Sequence, residues 1–131
     1  MKMLRARGEN LALSGELLGR LRVYCEMVQR GKPAAMLPIQ ARYANEAKTI
    51  IQSYGLNEYL EKLAKGWLTL WIYKFPHILE VIKSLPQAPR TAYDHWVLGK
   101  LFGYSEEAIH EFIWRDEKIF DYIWDKAEEH R

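Results

Sequence analysis

The sequence is poor in cysteine, in net charge and in long apolar runs, and each shortage excludes a class of protein. The one cysteine, Cys25, cannot form a disulfide within the chain, which excludes a disulfide scaffold and favours a reducing compartment. The most hydrophobic run, 67–73, is far shorter than the roughly twenty apolar residues of a membrane span. The first residues contain no apolar segment typical of a secretory signal. We therefore expect a soluble, cytoplasmic protein with no membrane partner.

The net charge of +2 is too small to indicate nucleic-acid binding by itself, but its distribution is uneven. Residues 1–66 contain eleven Lys and Arg against six Asp and Glu, whereas residues 67–131 contain eight against eleven. These halves could pair within the fold or across a dimer, or they could face different partners. The candidate basic face in the first half consists of Arg20, Arg22, Arg30 and Lys32.

The apolar residues recur at spacings of three and four, and no run of β-branched residues alternates with period two. The pattern predicts an all-α fold, a bundle of five to six helices. At 131 residues the chain is long enough to bury a core as one domain, 1–131, with residues 1–10 as a candidate disordered segment. Glycines, prolines and capping residues divide the predicted helices, which cover about 11–30, 39–54, 57–75, 78–85, 91–102 and 105–129.

The stretch 98–113 has the most informative spacing in the chain. A small residue lies four positions before a glycine, and this glycine has an apolar residue on each side. A serine and two more apolar residues follow. The residues are Gly99, Phe102, Gly103, Tyr104, Ser105, Ile109 and Phe112. This pattern resembles a helix-turn-helix corner over residues 95–113, in which two helices meet at a tight glycine turn.

The charge of this corner disagrees with the DNA binding that the resemblance implies. The positions of the second helix that would face DNA carry Glu106, Glu107, His110 and Glu111. Carboxylates at these positions would repel phosphates instead of neutralising them. We therefore interpret the four residues as an acidic helix face of a corner used for packing or protein contact.

Residues with catalytic or metal-binding potential do not form a recognisable constellation. Glu107 and His110 have the Glu-x-x-His spacing of di-iron helix bundles, but those sites need a second such pair, which is missing here. Asp94 and His95 are adjacent, and neighbours on a helix point in different directions, so Asp94 is predicted to cap a helix with Thr91. We assign no catalytic residue, no cofactor and no metal ligand, and we lean against an enzyme.

The predicted last helix is some 37 Å long, longer than one small core covers, and it carries aromatic residues on a second face. Trp and Tyr are typical anchors of protein interfaces. The candidate partner-binding residues are Trp114, Phe120, Tyr122 and Trp124. The favoured function is a non-enzymatic protein-interaction or regulatory module that binds a protein partner or a second copy. The alternatives are a DNA-binding regulator and a small-ligand binder or enzyme whose site the sequence does not reveal.

Overall fold

The computed structural model describes residues 13–115, which form five α-helices, one 3-10 turn and a three-stranded sheet. The helices are α1 (Gly15–Gln29), α2 (Ala44–Ser53), α3 (Pro76–Ser84), α4 (Ala92–Leu101) and α5 (Glu106–Arg115). The strands are β1 (Ala34–Gln40), β2 (Asn57–Ala64) and β3 (Trp67–Tyr73), and the sheet has the order β1-β3-β2. The all-α prediction is therefore wrong, because the protein has an α+β fold.

The segment predicted as a helix over 57–75 is a β-hairpin. Strands β2 and β3 pair antiparallel, with Asn57 opposite Tyr73 and Leu60 opposite Leu70. Gly66 lies in the turn between the two strands with φ 78°, a conformation that glycine adopts without steric cost. Aromatic and apolar residues of β3 fit a pleated surface, and this packing outweighs the helical spacing of its apolar positions.

Strand β1 replaces the predicted connector and the predicted start of the second helix. Its buried residues alternate with more exposed ones, and Leu37 and Ile39 lie in the core whereas Pro38 is exposed. A proline has no backbone N–H and cannot donate the hydrogen bond that a central strand needs. Strand β1 lies at the edge of the sheet, where this loss is tolerated. Helix α2 consequently begins at Ala44 and not near Ile39.

The described chain divides into two compact units. In the first unit, residues 13–31 and 35–74, the core lies between α1, α2 and the sheet. Its largest fully buried side chains are Leu21, Cys25, Val28, Leu37, Ile39, Ile51, Leu70 and Ile72. Ser14 caps α1 by accepting a hydrogen bond from the backbone N–H of Leu17 at 3.2 Å, so α1 begins at Gly15.

The second unit consists of residues 32–34 and, within the described chain, 75–115, which form α3, α4 and α5. Pro76 occupies the first turn of α3, where its missing N–H costs nothing. Thr91 and Asp94 form the predicted capping box at the start of α4, which confirms that prediction. Over residues 13–115, no helix is long and apolar enough to cross a membrane.

Candidate functional site

The turn between α4 and α5 has the conformation predicted for the corner. Helix α4 ends at Leu101, and Gly103 follows with φ 79°. The hydroxyl of Ser105 accepts a hydrogen bond from the backbone N–H of Ala108 at 3.1 Å and so caps α5. These details confirm the predicted turn, and they fix where the two helices face each other.

The helices approach closely at Gly99. A Cβ atom built on Gly99 would lie only 2.7 Å from Cγ1 of Ile109 and 2.9 Å from its Cδ1. Only glycine therefore fits at this crossing without a shift of the neighbouring side chain. Ile109 and Ile113 form a small buried cluster against which Ala92 packs.

The inner side of the corner is open and forms a groove of about 450 Å³, which we name the corner groove. Its lining is almost entirely apolar and aromatic: His95, Leu98, Gly99, Phe102, Tyr104, Ala108, Ile109 and Phe112. All the apolar residues that defined the sequence motif therefore face one groove. The spacing of these residues predicts the helix crossing but does not predict the groove.

Two aromatic side chains of the groove are largely exposed to solvent, Tyr104 to 55% and Phe112 to 53%. The ring of His95 lies against Phe112, with the ring centroids 5.2 Å apart. Lys32 lies over the Tyr104 ring at 5.2 Å, a cation–π contact that anchors this ring at its end of the groove. The groove is thus a preformed apolar surface with positioned aromatic walls.

One residue of the acidic face predicted on α5, Glu106, has partners on α4. Glu106 forms an ion pair with Lys100 at 2.6 Å and accepts a hydrogen bond from the Trp96 indole at 3.1 Å. These hydrogen bonds from Lys100 and Trp96 lower the pKa of the Glu106 carboxyl. Glu106 therefore links α5 to α4.

The other members of the predicted acidic face are exposed along α5. Glu107 lies in its first turn, and Glu111 pairs with Arg115 one turn later at 3.4 Å. The Nδ1 atom of His110 accepts a hydrogen bond from the Trp114 indole at 3.1 Å. Over the described residues of α5, exposed Glu107 and Glu111 thus precede exposed Arg115.

The predicted partner-binding aromatics fall largely outside the described residues. Trp114 lies on α5 and is 47% exposed, whereas Phe120, Tyr122 and Trp124 lie beyond residue 115. Within residues 13–115, Tyr93 is the most exposed aromatic residue at 69%, and Tyr104 and Phe112 are each more than half exposed.

The residues of the predicted basic face belong to both units of the chain. Arg20 and Arg22 are exposed on α1, and Arg30 lies 3.9 Å from Glu26. Lys32 belongs to the other unit, where it contacts Tyr104.

Asp94 and His95 have separate partners. The backbone N–H groups of Arg90 and Thr91 donate hydrogen bonds to the Asp94 carboxylate at 3.0 and 3.3 Å. These bonds, that of Arg90 first, lower the pKa of the Asp94 carboxyl. His95 faces the corner groove, so the pair does not form an acid–base dyad.

Neither metal chemistry nor thiol chemistry has a site in the described part of the chain. Within residues 13–115, no group of three or more His, Cys, Asp or Glu side chains is placed to hold a metal ion. Cys25 is buried, and desolvation, followed by the charge of Glu26, raises its pKa to about 11. A thiol in this state is a poor nucleophile.

The first unit has a smaller cavity of about 240 Å³ between the start of α1 and β1. Glu16, Arg20 and Gln40 line it together with Trp67. Because its lining is mixed and its volume is about half that of the corner groove, we take the corner groove as the candidate functional site. No protein-family model, no curated protein and no solved structure matches this chain.

Proposed function

We propose that this protein is a non-enzymatic protein-binding module that takes an amphipathic helix into the corner groove. The observation that supports this function is the exposure of Phe112 and Tyr104, each more than half open to solvent, around an apolar groove of about 450 Å³. Helix-in-groove recognition uses such surfaces, with apolar anchors spaced three and four residues apart on the bound helix.

The energetics favour an occupied groove. Complete burial of a side chain such as Phe contributes about 1.5–3 kcal/mol, and half of the Phe112 surface is still available for burial. Aromatic residues at the centre of an interface commonly contribute most of its binding free energy. The close contact of His95 with Phe112 restricts that ring, which lowers the entropy cost of binding.

The charges around the groove favour a protein over nucleic acid. Glu107 and Glu111 are exposed on the helix that a DNA-binding corner would present to the duplex. Two carboxylates at these positions add repulsion to every phosphate contact. The DNA-binding alternative consequently needs a surface other than this helix.

A small apolar ligand is the second candidate, because the groove volume lies within the range of about 300–1,000 Å³ typical of ligand sites. His95 and Tyr104 would supply the few polar atoms that orient such a ligand. Ligand sites enclose most of their ligand, however, and the exposed rings of Tyr104 and Phe112 favour an extended partner such as a helix.

A reducing compartment such as the cytoplasm fits the buried thiol of Cys25.

A selection from a displayed library of helical peptides on the full chain tests this function. We expect selected peptides to carry apolar residues at helical spacing, and we expect Phe112→Ala to weaken their binding tenfold or more, which is about 1.4 kcal/mol. Phe75→Ala is the matched control, since Phe75 is the same residue type, is also 53% exposed and does not line the groove.

Three outcomes would contradict the proposal. Binding that is unaffected by Phe112→Ala would place the contact elsewhere. Loss of binding to the same extent in Phe75→Ala would indicate nonspecific adhesion to exposed rings. Selective, Phe112-dependent binding of small apolar dyes without any peptide would favour the ligand candidate.

A further inference from the structure

We propose that His95 makes binding in the corner groove sensitive to pH: the groove holds an apolar partner while the imidazole is neutral and releases it when the imidazole is protonated. This inference rests on the proposed function, because it assigns the regulation of the same groove. It applies to any partner that covers His95 with apolar side chains. The position of His95, its contact with Phe112 and the charges around it support the inference.

His95 stands in a groove wall that is otherwise almost entirely apolar. The two titratable side chains of the lining are His95 and Tyr104, and the others offer carbon surface or a bare backbone: Leu98, Gly99, Phe102, Ala108, Ile109 and Phe112. His95 is half-buried, and its ring centroid lies 5.2 Å from that of Phe112. A partner that buries the Phe112 ring therefore also removes water from the His95 ring.

No carboxylate in the lining compensates for that loss of water. The side chains of α5 that line the groove are all apolar. On α4, the carboxylate of Asp94 interacts electrostatically with His95. The backbone N–H groups of Arg90 and Thr91 hold this carboxylate in the capping box, and Asp94 is not part of the lining. An imidazolium covered by a partner would thus lack a counter-charge inside the groove.

The charge at the turn end of the groove is positive. The ammonium group of Lys32 lies 5.2 Å from the centroid of the Tyr104 ring. A phenol stays neutral between pH 5 and 8, whereas histidine is the side chain whose charge changes in this range. His95 is therefore the member of the lining that can report a physiological change of pH.

Burial affects the two forms of an imidazole differently. An imidazolium loses much more hydration free energy than a neutral imidazole when water is removed, so burial favours the neutral form. The contact between His95 and Phe112 is present before and after binding, so it contributes to both states. An apolar partner consequently binds the neutral form more tightly, and its affinity falls as the pH drops through the range in which the imidazole takes up a proton.

The affinity of one helical peptide at two pH values tests the inference. The peptide is selected from a library without Asp, Glu or His and has blocked termini, so its own charge stays constant between pH 5 and 8. Fluorescence anisotropy measures its Kd for the full chain at about pH 7.5 and about pH 5.5, and circular dichroism checks that the fold is retained at both. N-phenyl-1-naphthylamine, an uncharged apolar dye, serves as a second probe.

We expect the Kd of the wild type to rise about tenfold between the two pH values, the change for an imidazole of ordinary acidity whose charged form the occupied groove excludes. His95→Gln, which is neutral at both pH values, should show one Kd at both. The matched control is His110→Gln, because His110 is exposed on α5 and lies outside the lining. This control should respond to pH as the wild type does.

The ring-proton signals of the histidines provide a measurement that needs no variant with altered binding. Saturation with the peptide should lower the pH at which the His95 signals titrate, because the occupied groove favours the neutral ring. The His110 signals should titrate at the same pH with and without peptide. A merely structural role of His95 would not shift its titration on binding.

Three results would overturn the inference: a wild-type Kd that changes less than about twofold, a pH dependence that persists in His95→Gln, or an affinity that increases in acid. Phe112-dependent binding without any effect of pH would remove the regulation and leave the proposed function intact. Absence of Phe112-dependent binding at about pH 7.5 would remove both.

Discussion

Gly99 lies against Ile109 so closely that a Cβ on Gly99 would come within 2.7 Å of the isoleucine Cγ1 atom. The contact sets the distance between α4 and α5, and with it the width of the corner groove. The two helices that form the groove can therefore approach this closely because residue 99 has no side chain.

This contact predicts opposite effects for the same substitution in two helices. Gly19 lies within α1, and a Cβ built there meets nothing within 4 Å, so Gly19→Ala should stabilise the protein by about 0.5–1 kcal/mol. Gly99→Ala gains the same helix propensity but crowds Ile109, and overpacking costs about 1–3 kcal/mol. Urea unfolding measures both. A Gly99→Ala protein more stable than wild type would contradict the close approach.

The conformation of Gly103 predicts that substitutions at this position lower the free energy of unfolding by different amounts. Its φ of 79° is strained for most residues, and a Cβ would also lie 3.2 Å from the Lys32 Cγ atom. Gly103→Ala should therefore lower the free energy of unfolding by about 1 kcal/mol or more. Gly103→Asn should cost less, because asparagine tolerates this conformation better. Equal stability of Gly103→Ala and wild type in the same assay would refute the turn.

The capping box predicts a loss of stability in acid. The backbone N–H groups of Arg90 and Thr91 hold the pKa of Asp94 below its usual value, so the stabilisation is complete above the unfolded pKa of about 3.9. It is lost as the pH falls from there through the folded pKa. Asp94→Asn should therefore flatten this part of the curve of unfolding free energy against pH. Glu107→Gln, which removes a carboxylate outside the box, should follow the wild type.

The buried thiol predicts that labelling reports on unfolding. With its pKa raised to about 11, Cys25 is almost entirely protonated at pH 8 and is shielded by the core. A thiol reagent should therefore react slowly with the native protein and rapidly once urea opens the first unit. The single cysteine makes the signal unambiguous, and Cys25→Ala supplies the blank. Fast labelling of the native protein would show that the first unit opens readily.

Local signals in the sequence were reliable where one residue determines the backbone. The capping box at Thr91 and Asp94, the turn at Gly103 and the small residue at Gly99 all follow from the chemistry of single side chains. The sequence therefore predicted the corner, with its glycine turn, its capping serine and its small residue at the crossing. It did not predict that these side chains stay uncovered, because exposure depends on what the rest of the chain packs against.

The sheet escaped prediction because apolar spacing is ambiguous in short segments. In 57–73, residues Leu60, Trp67, Leu70 and Trp71 fit a helical stripe, yet the same residues fit a hairpin once Gly66 is placed in the turn. A run of seven residues rich in aromatic and apolar side chains, next to a glycine, is the sequence signal that indicates the hairpin. In β1, Pro38 concealed the alternation that buries Leu37 and Ile39.

The most direct test of the corner groove as a protein-binding site is a map of amide chemical-shift changes in the full chain as a selected helical peptide is added. The account predicts that the largest changes follow the groove, at Leu98, Gly99, Phe102, Ala108 and Phe112, and that core amides of the first unit such as that of Ile51 do not move. Changes centred on the first unit, or saturable binding that leaves the groove amides unmoved, would contradict it.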